Sequence, residues 1–170
     1  MKKIKLYPAR VVFALLALIC MITIFSFSRE NSEQSSETSG KVTEAVIEVT
    51  VKDYSKKPPK EKESIRDKFT FAIRKCAHFT LYLCLGALVS LTAGRRKMLS
   101  IGSAGTMIFC FLYAVSDEIH QHFVPGRSCE FRDVMIDTSG ALTGMLLSFF
   151  MMYIFAKVYS KIVRKREKSQ

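Results

Sequence analysis

The chain has 170 residues, room for one domain, with 49% hydrophobic residues and a formal net charge of +11. Such a charge would suit a nucleic-acid binder, but the basic residues stand at the ends of apolar blocks and form no patch, so a membrane protein is expected and nucleic acid is not a partner. The five cysteines include no C-x-x-C pair, which excludes a zinc-ribbon or thioredoxin-type motif.

Residues 1–10 form a basic leader containing Lys2, Lys3, Lys5 and Arg10. Residues 11–28 (VVFALLALICMITIFSFS) are apolar over the ~18 positions needed to cross a hydrocarbon core about 30 Å thick. This run is longer than a signal-peptide core, and Ser26-Phe27-Ser28 is a poor cleavage site, so a retained first span is expected. Residues 29–40 (RENSEQSSETSG) are expected to be a solvated loop. Val42, Ala45, Val46 and Val49 then recur at i, i+3, i+4 and i+7. That spacing suits a short amphipathic helix lying on a membrane surface, although VIEVTV also alternates as a strand would. Lys56-Lys57-Pro58-Pro59-Lys60 breaks the chain. Beyond it, Ile65, Phe69, Ala72, Ile73 and Cys76 mark a helical face that leads into a second span at 77–93.

Gly94-Arg95-Arg96-Lys97 is a basic turn into a third span at 98–116. A polar connection at 117–133 leads to a fourth span at 134–156 and a basic tail at 157–170. The leader carries four Lys and Arg, the 95–97 turn three and the tail six, against two in 117–133. The positive-inside rule places leader, turn and tail in the cytoplasm. The loop at 29–76 is then extracytoplasmic; its eleven basic residues are offset by nine acids, and long loops count little in the rule. The expected fold is an all-α, polytopic bundle of about four transmembrane helices with an extracytoplasmic amphipathic segment. Its expected location is the cell membrane, multi-pass, with both termini cytoplasmic.

In the fourth span, Gly140-x-x-x-Gly144 is a small-residue pattern that lets helices approach closely. Gly102 and Gly105 could offer the opposing thin surface, or the two glycines could dock a membrane-protein partner or a second copy. Phe149-Phe150-Met151-Met152 reads as lipid-facing. Cys20, Cys84 and Cys110 read as small hydrophobes. Cys76 and Cys129 both fall at outer ends, as free thiols or as a disulfide.

All three histidines, His78, His120 and His122, fall at the outer ends of the second and third spans. With them come Arg74, Lys75, Tyr82, Asp117, Glu118, Gln121, Arg127, Arg132, Asp133 and Asp137. Ionisable groups at membrane depth are costly and face a bundle interior or a wet cavity, so these residues need one another. If the third helix continues past Ser116, Glu118 and His122 are i, i+4, and Asp117 lies three and four residues from His120 and Gln121. Pro125-Gly126 must then end it.

Three readings stand side by side. His78, Glu118 and His122 could ligate zinc, although no H-E-x-x-H pair is present. A histidine among His78, His120 and His122 could act as general base beside Asp117 or Glu118 on a lipid-linked substrate. The simplest reading is a non-catalytic network of ion pairs and hydrogen bonds, holding an anionic headgroup through Arg127 or Arg74. That last reading calls for no metal or other cofactor.

Three strings occur in order: Arg74-Lys75-x-x-His78-Phe79-x-x-Tyr82; Ser116-Asp117-Glu118-x-His120-Gln121-x-Phe123-Val124-Pro125-Gly126-Arg127; and Asp133 with Asp137-Thr138-x-Gly140-Ala141-x-x-Gly144. Together they resemble the VanZ-like family over about residues 11–156, as does the Phe25-Ser26-Phe27-Ser28 exit from the first span. Asp137 stands where many members carry Asn. The resemblance implies a membrane protein of the bacterial envelope, linked by the family's name to teicoplanin susceptibility. It implies binding positions at the motif residues, with the lipid bilayer, headgroups, wall precursors or glycopeptide as partners. It implies no catalytic mechanism.

Overall fold

A computed structural model describes residues 7–94, 100–127 and 129–167. The basic turn at 95–97, the leader lysines Lys2, Lys3 and Lys5, and Lys168 of the tail lie outside the described residues. The described chain is helical throughout, without a strand: α1 (Tyr7–Ser28), α2 (Ser32–Thr50), a 3-10 turn (Tyr54–Lys56), α3 (Pro59–Ala93), α4 (Ile101–His122) and α5 (Phe131–Glu167).

The solvated loop expected at 29–40 is a helix from Ser32 onward. Asn31 starts it with a capping box: its side chain accepts the Gln34 backbone N–H, and the Gln34 side chain accepts the Asn31 N–H. This places 42–49 in a helix and not in the alternating strand. α2 folds back along the first half of α3, where Arg66 meets Glu44 at 3.3 Å and the Thr70 hydroxyl donates to that of Thr43 at 3.4 Å. Thr43 and Ile47 are buried there, whereas Val42 and Val49 of the predicted stripe face outward, Val49 being 88% exposed.

The Lys56–Lys60 break becomes the start of α3. Pro58 occupies the cap and Pro59 the first helical position, where a missing N–H removes nothing the helix uses. With 35 residues, α3 is roughly 52 Å long, so it exceeds a bilayer core and holds both the predicted amphipathic stretch and the second span. It ends at Gly94, whose left-handed φ of 62° closes the last turn, against the Arg10 guanidinium from α1. A cation there also complements the C-terminal dipole of the helix.

Among the described residues, three helices are long and apolar enough to cross a membrane: Pro8–Ser28, Pro59–Ala93 and Phe131–Arg166. α4 is apolar in its first four turns, then carries Asp117, Glu118, His120, Gln121 and His122, so the predicted connection at 117–133 is helical as far as His122. The shared core joins Ala17, Cys20 and Ile24 of α1 to Tyr82 and Leu85 of α3, Cys110 and Ala114 of α4, and Val134 and Ala141 of α5. Large apolar side chains elsewhere, such as Leu15, Ile19, Ile108, Leu112 and Phe150, point outward, a surface suited to hydrocarbon.

α3 and α5 run parallel in the closest packing of the fold. A Cβ on Gly140 would overlap the Phe79 carbonyl oxygen, and one on Gly144 that of Leu83. One on Gly86 would overlap the backbone of Ala141. The opposing thin surface is therefore on α3 and not at Gly105, where a Cβ meets nothing. Gly140 and Gly144 are buried by α3 and present no docking face. Below them the Ser148 hydroxyl donates to the Ser90 hydroxyl at 2.7 Å. Of the Phe149–Met152 run, Phe149 turns inward while Phe150 and Met151 stay exposed.

Candidate functional site

The polar residues converge where the end of α1, the middle of α3, the end of α4 and the start of α5 meet. His78 lies on α3, Asp117 on α4 and Asp137 on α5, and one ligand atom from each lies within 4.8 Å of the other two. His78 Nδ1 is 3.8 Å from Asp137 Oδ2. Asp117 and Asp137 are each 3% exposed. Three helices thus bring two carboxylates and one imidazole into the bundle interior, the environment that favours pairing over isolation.

Asp117 is held from one side. Its Oδ2 accepts the Ser28 hydroxyl at 2.8 Å and the Gln121 side-chain amide at 3.2 Å; that amide also donates to Ser28 Oγ. Its Oδ1 is buried without a partner. Tyr82 lies one helical turn after His78 and is 0% exposed, its hydroxyl likewise without a partner. Arg74, Lys75, His78, Gln121, Asp133 and Asp137 border a cavity of about 20 Å³.

A second layer surrounds this centre. Lys75 forms an ion pair with Asp133, linking α3 to the first turn of α5. Glu118 turns the other way and accepts the Glu130 backbone N–H at 2.6 Å, tying α4 to the connection before α5. Burial holds the Glu118 carboxyl above the usual carboxylate range, against the lowering effect of that N–H. Arg127 donates from Nη2 to the Phe27 carbonyl at 3.2 Å, capping the C-terminus of α1. Its Nε and Nη1 are buried without partners. Arg74 and Glu30 are among its electrostatic neighbours.

The predicted site residues therefore divide. His78, Tyr82, Asp117, Gln121 and Asp137 are brought together; Arg74, Lys75, Arg127 and Asp133 border them. His120 stacks on Phe25 at 4.6 Å between ring centroids, and His122 is exposed beside Phe123. The zinc set His78, Glu118 and His122 is not assembled: among the described residues, the His, Cys, Asp or Glu trio that converges is His78, Asp117 and Asp137. Ser28 was missed as a site residue. Its signal lay in the sequence, as a small polar residue ending an apolar run, but nothing local said which helix it would face. All five cysteines are free thiols, Cys76 and Cys129 included.

The VanZ/LLP1 family profile matches residues 13–155. The chain belongs to the VanZ/LLP1 family. The matched stretch runs from within α1 to within α5 and takes in every residue of the cluster just described. Family membership and three membrane-length apolar helices together support a VanZ-like membrane protein. No curated protein and no solved structure matches the chain.

Proposed function

We propose that this VanZ/LLP1 protein crosses the bacterial cell membrane four times with both termini in the cytoplasm. Its polar cluster would then open toward the outer surface, meet anionic headgroups or wall precursors there, and alter susceptibility to glycopeptides such as teicoplanin. The basic leader, turn and tail support the orientation. α4 supports the fourth crossing, because its apolar half joins the shared core through Cys110 and Ala114 and the Tyr113 hydroxyl donates to the Met21 carbonyl of α1 at 2.7 Å. In this orientation α2 and the first half of α3 stand outside the bilayer.

The observation that carries the binding role is Arg127, a guanidinium with two buried N–H-bearing nitrogens unpaired beside the cluster. Arginine holds phosphate and carboxylate groups through such parallel donors. The test is teicoplanin sensitivity on deletion and overexpression, with Arg127→Gln and His78→Ala scored for expression as well as phenotype. Retained expression with a lost phenotype supports the reading; unchanged sensitivity on both deletion and overexpression removes it. Orientation is read separately, by labelling a variant that keeps Cys129 alone with a membrane-impermeant maleimide in intact cells.

A second reading is a membrane-embedded hydrolase or transferase acting on a lipid-linked substrate. The His78–Asp137 pair favours it, since a carboxylate 3.8 Å from an imidazole is placed to orient and charge a general base. Turnover of a lipid-linked phosphate ester by purified protein, abolished in His78→Ala, is its test.

A further inference from the structure

We infer that His78, Asp117 and Asp137 form a binding site for a single divalent transition-metal ion of the zinc or manganese class, with the Tyr82 hydroxyl facing its open position. Four observations converge on this site. One imidazole and two carboxylates come from three different helices, their ligand atoms within 4.8 Å of one another. Metal–ligand bonds of about 2.0–2.2 Å put neighbouring ligand atoms roughly 3–3.5 Å apart, so the trio needs only a small inward movement. The His78–Asp137 separation of 3.8 Å is already close to that spacing.

Next, Asp117 is prepared on one side only. Ser28 and Gln121 both donate to Oδ2, which fixes the carboxylate plane and leaves Oδ1 buried and unpartnered. Supporting hydrogen bonds of this kind orient a ligand toward a metal. Tyr82, one helical turn after His78 on α3, is 0% exposed with its hydroxyl unpartnered. A buried hydroxyl there lacks a partner that a metal-bound water would supply. Finally, His78 and Asp137 of the trio border, with Arg74, Lys75, Gln121 and Asp133, a cavity of about 20 Å³, room for one water or ion.

Charge gives the same answer. On binding a metal the two aspartates supply two negative charges, which one divalent cation cancels inside an apolar bundle. The imidazole selects zinc, manganese, iron or cobalt over calcium and magnesium, which prefer oxygen ligands alone. The inference rests on the cluster being the functional site, but metal content is read without any phenotype, so the two can fail separately.

The experiment uses full-length protein purified in detergent with a histidine-free tag, incubated with zinc or manganese chloride and desalted. Elemental analysis is expected to find about one ion per chain in the wild type and in His122→Ala. Retention is expected to fall about tenfold or more in His78→Gln and Asp137→Asn. Substoichiometric metal in the wild type, or equal metal in all variants, overturns the site. Should a variant fail to yield monodisperse protein, cobalt loading of the wild type decides: visible ligand-field bands quenched by added zinc support the site, and a featureless spectrum overturns it.

Discussion

Ser28 and Asp117, 89 positions apart in the chain, meet through a hydrogen bond of 2.8 Å in which the hydroxyl donates to a carboxylate that is 3% exposed. Ser28 is the last residue of α1 and is itself fully buried. Removing its hydroxyl leaves Gln121 as the one remaining donor to that oxygen among the described residues. We expect Ser28→Ala to destabilise the protein by about 1–3 kcal/mol, the usual range for a hydrogen bond lost from a buried charged group. Thermal unfolding in detergent reads this. In Asp117→Asn the same substitution is expected to cost less, because the charge it serves is gone.

The glycines give a prediction of opposite signs. Gly144→Ala places a methyl group into the Leu83 carbonyl and must push α5 away from α3. It is expected to cost about 1–3 kcal/mol, as overpacking does elsewhere. Gly105→Ala meets open space and is expected to be neutral or to stabilise α4 by up to about 1 kcal/mol. The two melting temperatures, measured side by side, check both. Equal shifts would contradict the close α3–α5 contact.

Glu118 makes stability depend on pH in a definite direction. Burial raises its pKa in the folded chain, so the folded state holds this proton more tightly than the unfolded state does. The stabilisation is full below the unfolded value of about 4.3 and is lost as pH rises through the raised folded value. Glu118→Gln, which stays neutral, is expected to flatten that part of the decline. Melting curves recorded from about pH 4 upward compare the slopes. Parallel slopes for wild type and variant would show that Glu118 does not hold its proton.

His120 and His122 are expected to separate from His78 by function. His78 faces Asp137 within the bundle, whereas His122 is exposed and His120 stacks on Phe25. His122→Ala should leave expression and any glycopeptide phenotype unchanged. His120→Ala should cost stability through the lost ring contact, by about 0.5–1.5 kcal/mol. His78→Ala should lose the phenotype with expression retained. A phenotype tracking His122 instead would move the site to the helix end.

The primary sequence by itself determined that the chain is helical and membrane-compatible, because those properties follow from run lengths of apolar residues and from where lysine and arginine interrupt them. The motif strings that resemble the VanZ-like family were legible for the same local reason, as order and spacing along one chain. It also marked the polar residues that needed partners, since charge at membrane depth is costly wherever it occurs. The partners themselves were decided by tertiary structure. His78 meets Asp137 because the α3–α5 approach through Gly140 and Gly144 sets the rotation of those two helices, and it meets Asp117, and not Glu118 and His122, through the rotation of α4 in the shared core; rotation is invisible to spacing within one helix. The packing of α1 beside α4 put Ser28 on Asp117. The first part of the helix at 32–50 was equally hidden: 32–40 reads as loop, whereas the apolar spacing of 42–49 marked a helix, and the Asn31 capping box together with burial of Thr43 and Ile47 against α3 extends it back to Ser32.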